Sequence, residues 1–227
     1  MRLNILALSL LSAISLNANA AFVAVIQPSG AYQVSSNADD DTTPPPVNPE
    51  PCITREDLVK KIKNNEDVTK VNTSCITNFS ALFMRNTKFN QDISSWDVSN
   101  GENFGMMFAG AIAFSQDISK WNVSKGRNFT SMFNNNSTFN IDISNWNVSN
   151  GIQFDFMFSA SDSFNQDISG WDVSNGKSFI GMFQYNQAFD QDISKWDVSS
   201  VNDPMADARQ FRQGAVLQQS HIPPSFR

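Results

Sequence analysis

Residues 89–108 read FNQDISSWDVSNGENFGMMF, from Phe89 to Phe108, and this frame returns along the chain at a constant interval. The five tryptophans are Trp96, Trp121, Trp146, Trp171 and Trp196, each 25 residues after the one before. Phe89, Phe114, Phe139, Phe164 and Phe189 keep the same interval, as do Ile93, Ile118, Ile143, Ile168 and Ile193. So do Val98, Val123, Val148, Val173 and Val198, and the aspartates 92, 117, 142, 167 and 192. Residues 76–200 are therefore five tandem units without insertion or deletion. A fixed period in the range of about 20 to 50 residues marks solenoids, propellers or arrays.

Within a unit the hydrophobic period changes. Phe104, Met107 and Phe108 stand at i, i+3 and i+4, as do Phe79, Leu82 and Phe83 and their counterparts downstream, which predicts one or two turns of helix. Trp96 and Val98 alternate with polar residues and lead into Asn100-Gly101, which predicts a strand closed by a turn with glycine at positive φ. Each unit thus reads as short helix, bend, extended Asp-Ile-Ser, strand and glycine turn. About seven large apolar side chains per unit give roughly 10 to 20 kcal/mol if fully buried. That is less than the ~1.5 kcal/mol per residue that ordering costs, so one unit should not fold alone. Stacked copies bury each other's faces, which predicts a solenoid. A WD-type propeller is excluded despite Trp96-Asp97, because a four-stranded blade needs ~40 to 45 residues.

The flanks differ from the repeats. Arg2, the apolar run from Ile5 to Leu16 and the Ala18-Asn19-Ala20 pattern predict a signal peptide over 1–20, with no cysteine at a lipidation position. Residues 21–51, with Asp39-Asp40-Asp41 and Pro44-Pro45-Pro46, read as a disordered acidic, Pro-rich tether. In 52–75, Thr54 and Asp57 form a capping signature ahead of Leu58, Val59 and Ile62, and Lys60, Lys61 and Lys63 follow. A short helical N-terminal cap is expected there. Export permits a disulfide, and Cys52 and Cys75 are the only two cysteines. Bridging them is worth on the order of 3 kcal/mol in the chain-entropy model. Residues 201–227 keep fragments of the pattern and read as a degenerate C-terminal cap, with His221 structural.

Composition narrows the functional classes. The chain has 227 residues, 16 Lys+Arg against 22 Asp+Glu, and a net charge of −6, which leaves no electrostatic footprint for nucleic acid. With 41% hydrophobic and 17% charged residues, neither a membrane-spanning nor a wholly disordered chain is expected. The 19 Phe stand against 2 Tyr and 1 His, a narrow vocabulary for an enzyme.

The run F-N-Q-D-I-S-x-W-D-V-S followed by M-F, in Phe89 to Ser99 with Met107-Phe108 and again in Phe164 to Ser174 with Met182-Phe183, resembles the BspA-like leucine-rich-repeat surface proteins of bacteria and some protists. The likeness covers 76–200, and 52–75 is similar to the helical cap that precedes those repeats. It implies an α/β repeat protein, a right-handed leucine-rich-repeat-type solenoid of five 25-residue units, displayed outside the cell in a family whose better-known members are adhesins. The chain departs from the family where many members carry V-T-x-M and this one has Gly101-Glu102-Asn103-Phe104, and in lacking the lipid-anchor cysteine.

Three columns could carry chemistry. The Asp92 column would stack carboxylates about 5 Å apart if turns lie at strand spacing. Either cations sit between them or each carboxylate accepts N–H bonds within its own turn. The neighbouring column, Asp97, Asn122, Asn147, Asp172 and Asp197, exchanges Asp for Asn freely, which favours the second reading and no bound metal. The Trp column could be a stacking platform for a polysaccharide, but its alternation with Val reads as core. No G-x-S-x-G, Walker or H-E-x-x-H motif is present and the carboxylates are evenly spread, so neither catalysis nor a cofactor is expected. What remains are positions that vary amid strict repetition. Lys120, Asn145 and Lys195 lie in one such column with Ser95 and Gly170. Asn135 and Tyr185 lie in a second with Arg85, Gly110 and Ala160, and Arg127 and Lys177 in a third with Glu102 and Ile152. Unselected surface and a binding face look alike here. The expectation is an exported, monomeric binding module for an extracellular protein or polysaccharide, with a glycan-binding or structural envelope protein as the alternative and an Asp-dependent glycosidase as a distant third.

Overall fold

The computed structural model describes residues 51–227, together with the backbone of two short strands, β1 (Val25–Ile26) and β2 (Tyr32–Gln33). The chain divides into two compact units, Met1–Val47 and Asn48–Arg227. In the first, β1 pairs antiparallel with β2, Val25 opposite Gln33 and Ile26 opposite Tyr32. This pairing falls in 21–51, where the sequence predicts no regular structure; Val, Ile and Tyr are strong strand formers and Pro28-Ser29-Gly30 between them is turn chemistry. Residues 1–20, read from the sequence as a signal peptide, and the remainder of 21–50, read as a tether, lie outside the described residues.

The second unit opens with α1 (Arg55–Lys63), and its sequence signals act as expected. The Thr54 hydroxyl oxygen accepts from the Asp57 N–H at 3.1 Å, Glu56 and Asp57 occupy the first turn, and Lys60, Lys61 and Lys63 the last. Leu58 and Ile62 are buried. The Cys52–Cys75 disulfide is formed, with the Cα atoms 6.0 Å apart, and ties the segment before α1 to the start of the repeats.

Each 25-residue unit makes one turn and hydrogen-bonds to the next. The N–H groups of Phe79, Ala81, Phe83 and Arg85 donate to the carbonyls of Asn103, Gly105, Met107 and Ala109, at 2.7 to 2.9 Å. Phe104, Met106, Phe108 and Gly110 repeat the pattern onto Asn128, Thr130, Met132 and Asn134, and the two following junctions continue it. At the start of this ladder single parallel bridges join Asn78, Asn103, Asn128, Gln153 and Ser178 in succession.

Three local expectations are corrected here. The helix predicted over Phe104 to Phe108 is a run of turns, because Met106 and Gly110 have φ of 57° and 68°, as Ala81 and Arg85 do (57° and 58°) one unit earlier. Left-handed residues interrupt a helix, and carbonyls that would accept from i+4 accept instead from the preceding unit, leaving i+3 bonds such as Met107 N–H to Phe104 O. The strand predicted at Trp96 and Val98 carries no regular secondary structure, since turn-to-turn pairing is made elsewhere. The glycines after Asn are not at positive φ; Gly110, Gly181 and Gly214 alone are, among the described residues. Gly101 is needed for space, because a Cβ there would lie 2.4 Å from Phe104 Cζ and 2.9 Å from the Val98 oxygen.

The core is three columns of phenyl rings and one of indoles. Phe79, Phe104, Phe129, Phe154 and Phe179 stack at centroid distances of 5.1 to 5.6 Å. The columns beginning at Phe83 and Phe89 stack at 5.3 to 5.8 Å and 5.9 to 6.5 Å. Such pairs add about 0.5 to 1.5 kcal/mol each beyond area burial.

The two ends of the ladder are closed by charge. Arg55 donates from Nε to the Asn78 oxygen at 2.9 Å and from Nη2 to the Ser80 oxygen at 2.6 Å, taking the place of a preceding turn. At the far end α2 (Pro204–Gln210) brings the Asp207 carboxylate to the Phe179 N–H at 3.2 Å. Phe183 and Tyr185 donate to the carbonyls of Phe211 and Gln213. Leu217, Ile222 and Phe226 continue the core into this final segment.

Candidate binding face

The charged columns are occupied with the chain's own turns. Asp92, Asp117, Asp142, Asp167 and Asp192 each accept the N–H of the serine two residues on, at 2.9 to 3.0 Å. The neighbouring column does the same whether Asp or Asn stands in it, at 2.9 to 3.1 Å. That explains the free exchange, since only a side-chain oxygen is required. Hydrogen bonding from the serine side chain, and then from its backbone, holds the Asp92, Asp117, Asp142, Asp167 and Asp192 carboxyls below the usual carboxylate value. Among the described residues no three His, Cys, Asp or Glu side chains gather as a metal group.

The indoles face inward. The five tryptophans are 3 to 5% exposed. Trp96 donates from Nε1 to the Val68 oxygen, and Trp121, Trp146, Trp171 and Trp196 donate to the carbonyls of Ile93, Ile118, Ile143 and Ile168 in the preceding turn, at 2.8 to 3.2 Å. The sequence column is therefore core plus a turn-to-turn tie, and no aromatic platform stands on that side. His221 sits in the C-terminal segment with Nδ1 3.0 Å from Asp190 Oδ1, while Gln218 binds both Asp190 carboxylate oxygens.

The variable columns are on the surface. Lys120, Asn145 and Lys195, next to the buried indoles, are exposed; so are Asn135 and Tyr185, and Arg127, while Lys177 is half-buried. Each column occupies its own arc of the turn, separated from the next by inward-pointing Phe, Ile, Trp or Val, so they form three ridges instead of one patch. The second ridge has a property the others lack. Arg85, Gly110, Asn135, Ala160 and Tyr185 all hold φ between 51° and 68°. Beside them a shallow depression of about 240 Å³ gathers Met84, Arg85, Met106, Gly110 and Asn135. Met84, Met106 and Tyr185 are 44%, 43% and 50% exposed, so this arc carries much of the exposed large apolar surface among the described residues. Gly214, at φ 70°, leaves room for the Tyr185 ring, which a Cβ there would meet at 2.6 Å.

Sequence reasoning found Asn135 and Tyr185 but missed Met84 and Met106, which it had no reason to separate from the buried Met107 and Phe83. It also missed Arg55 and Asp207, which lie outside the period. No curated protein and no solved structure matches the chain. A family model matches residues 55–155 and again 127–219, two overlapping windows that take in α1, all five turns and α2. The overlap is what an internally repeated chain produces against a model several repeats long. The chain belongs to the family described as Mycoplasma protein of unknown function, DUF285.

Proposed function

We propose that this is an exported, non-enzymatic repeat protein that binds an extracellular macromolecule through the exposed arc carrying Arg85, Asn135 and Tyr185. Its stacked turns are a right-handed leucine-rich-repeat-type solenoid of the BspA-like kind. The observation that carries the binding reading is the left-handed backbone of that ridge. A non-glycine residue there costs about 1–2 kcal/mol, and glycine is the relaxed choice, as at Gly110. Arg, Ala and Tyr stand there beside the better-tolerated Asn on one unchanging backbone, so side-chain chemistry varies where folding alone favours only glycine or asparagine. The core, the Asx turns and the indoles absorb the remaining candidates for chemistry. The formed Cys52–Cys75 bridge supports an oxidising destination, and no described helix is long and apolar enough to cross a membrane.

A glycan ligand is the second reading, favoured by the half-exposed ring of Tyr185. Arrays of immobilised matrix proteins and of glycans, probed with the chain and with Tyr185→Gly and Asn135→Gly, test both. Binding to a protein that falls about tenfold or more in the variants supports the proposal. Binding confined to glycans supports the alternative, and binding indifferent to both variants contradicts a role for this arc.

A further inference from the structure

The ladder runs one way: in every turn alternate N–H groups point to the following unit and alternate carbonyls to the preceding one. The first turn therefore presents four carbonyls with no unit before it, those of Asn78, Ser80, Leu82 and Met84, equivalent to the four acceptors of the second turn. Arg55 takes the first two. Among the described residues no hydrogen bond reaches the Leu82 or Met84 oxygen. Both residues line a groove of about 600 Å³ between α1 and the first turn, with Ile62 also in its wall.

The groove is cationic. Lys63 and Arg85 line it, and Lys88 lines a recess that shares Ile62 and Asn86 with it. No Asp or Glu is among the lining residues, on a chain whose net charge is −6. The described ion pairs involve Lys60, Lys61 and His221 and none of these three cations. Two open carbonyls at alternate positions are completed by N–H groups two residues apart on one edge of an extended backbone, the geometry of strand addition. Lone cations above an apolar floor select carboxylates.

We infer that this groove docks an extended acidic segment of a partner polypeptide. Alternate backbone N–H groups of the segment donate to the Leu82 and Met84 carbonyls, and its carboxylates meet Lys63, Arg85 and Lys88. The site adjoins the ridge and shares Arg85 and Met84 with it. Lys63 and Lys88 lie outside the ridge, so the Lys63→Glu/Lys88→Glu variant tests this groove apart from the Tyr185→Gly and Asn135→Gly variants that test the function proposed above.

The test is fluorescence anisotropy with the intact, disulfide-bonded chain and a labelled hexapeptide of alternating aspartate and valine. Two further peptides are N-methylated, one on every aspartate and one on every valine, so that each removes the donors of one edge. Saturable binding that falls about tenfold or more with at least one methylated peptide is expected, since two backbone bonds are lost. A comparable fall is expected in Lys63→Glu/Lys88→Glu, whose far-UV spectrum should match the parent and whose melting temperature should fall only slightly, because neither lysine pairs within the fold and Lys63 contributes only its charge in the last turn of α1. Absence of binding at millimolar peptide, equal binding of all three peptides, or equal displacement by a heparin hexasaccharide would overturn the inference; the last two would reduce the groove to a patch for any polyanion.

Discussion

At its first turn the ladder ends in carbonyls and meets a guanidinium; at its last it ends in N–H groups and meets a carboxylate. The interior needs neither, because each turn completes the one before it. The difference shows where a repeat stores its vulnerability: Arg55 lies partly open to solvent, whereas the Asp207 carboxyl is 2% exposed and is perturbed by its burial. Burial, with Asp155 and Asp203 adding to it against the Phe179 hydrogen bond, pushes the Asp207 carboxyl up from 3.8 to about 6. The N-terminal end is also left half-closed, with Leu82 and Met84 unanswered, while the C-terminal segment folds back over the last turn.

Removing Arg55 should give the largest effect. Arg55→Ala strips two charge-assisted bonds from the first turn and should lower unfolding free energy by about 3 kcal/mol in urea titrations, equally at pH 5 and pH 8. A smaller loss would mean that water closes that end unaided. Asp207→Asn should act in the opposite direction and only at high pH. The folded chain holds this proton more tightly than the unfolded one, so its contribution is fully present below about pH 4 and is lost as pH rises through about 6. The amide can still accept from Phe179, so the variant should match the parent at pH 4 and exceed it by about 2 kcal/mol at pH 8. The exposed aspartates of the turn columns have lowered values and the opposite sign, with stability lost as pH falls below about 4. A parent chain with no slope between pH 4 and 6 would contradict the buried carboxylate.

In the interior, Trp121→Phe keeps an aromatic ring but removes one of the two hydrogen bonds to the Ile93 carbonyl, which still accepts from the Trp96 N–H, and it shrinks a buried side chain; it should cost about 1–2 kcal/mol by thermal or urea unfolding. Gly170→Ala should be neutral within about 0.5 kcal/mol, because nothing lies within 4 Å of the added Cβ. These two measurements show whether an interior turn tolerates surface change while resisting core change, the separation that a binding ridge requires.

The period, the inward Phe, Ile, Trp and Val columns, the cap helix and the Asx turns were legible because each depends on residue type repeated in register. The conformation of Ala81, Met106, Ser131 and Phe156 was not. None is a residue that seeks positive φ, and the inter-turn bonds from their N–H groups impose it. The i, i+3, i+4 spacing of Phe104, Met107 and Phe108 therefore looked helical while recording a different way of burying three side chains. Gly101 was read for its backbone freedom and is needed for its missing Cβ. Arg55 and Asp207 each act once, so no pattern announces them.

Acrylamide quenching of the native chain tests the stacked core most directly. Five indoles, each hydrogen-bonded to the coil below it, should be shielded and should become quenchable only together, in a single denaturant transition. Native emission quenched as readily as that of the unfolded chain would contradict the account.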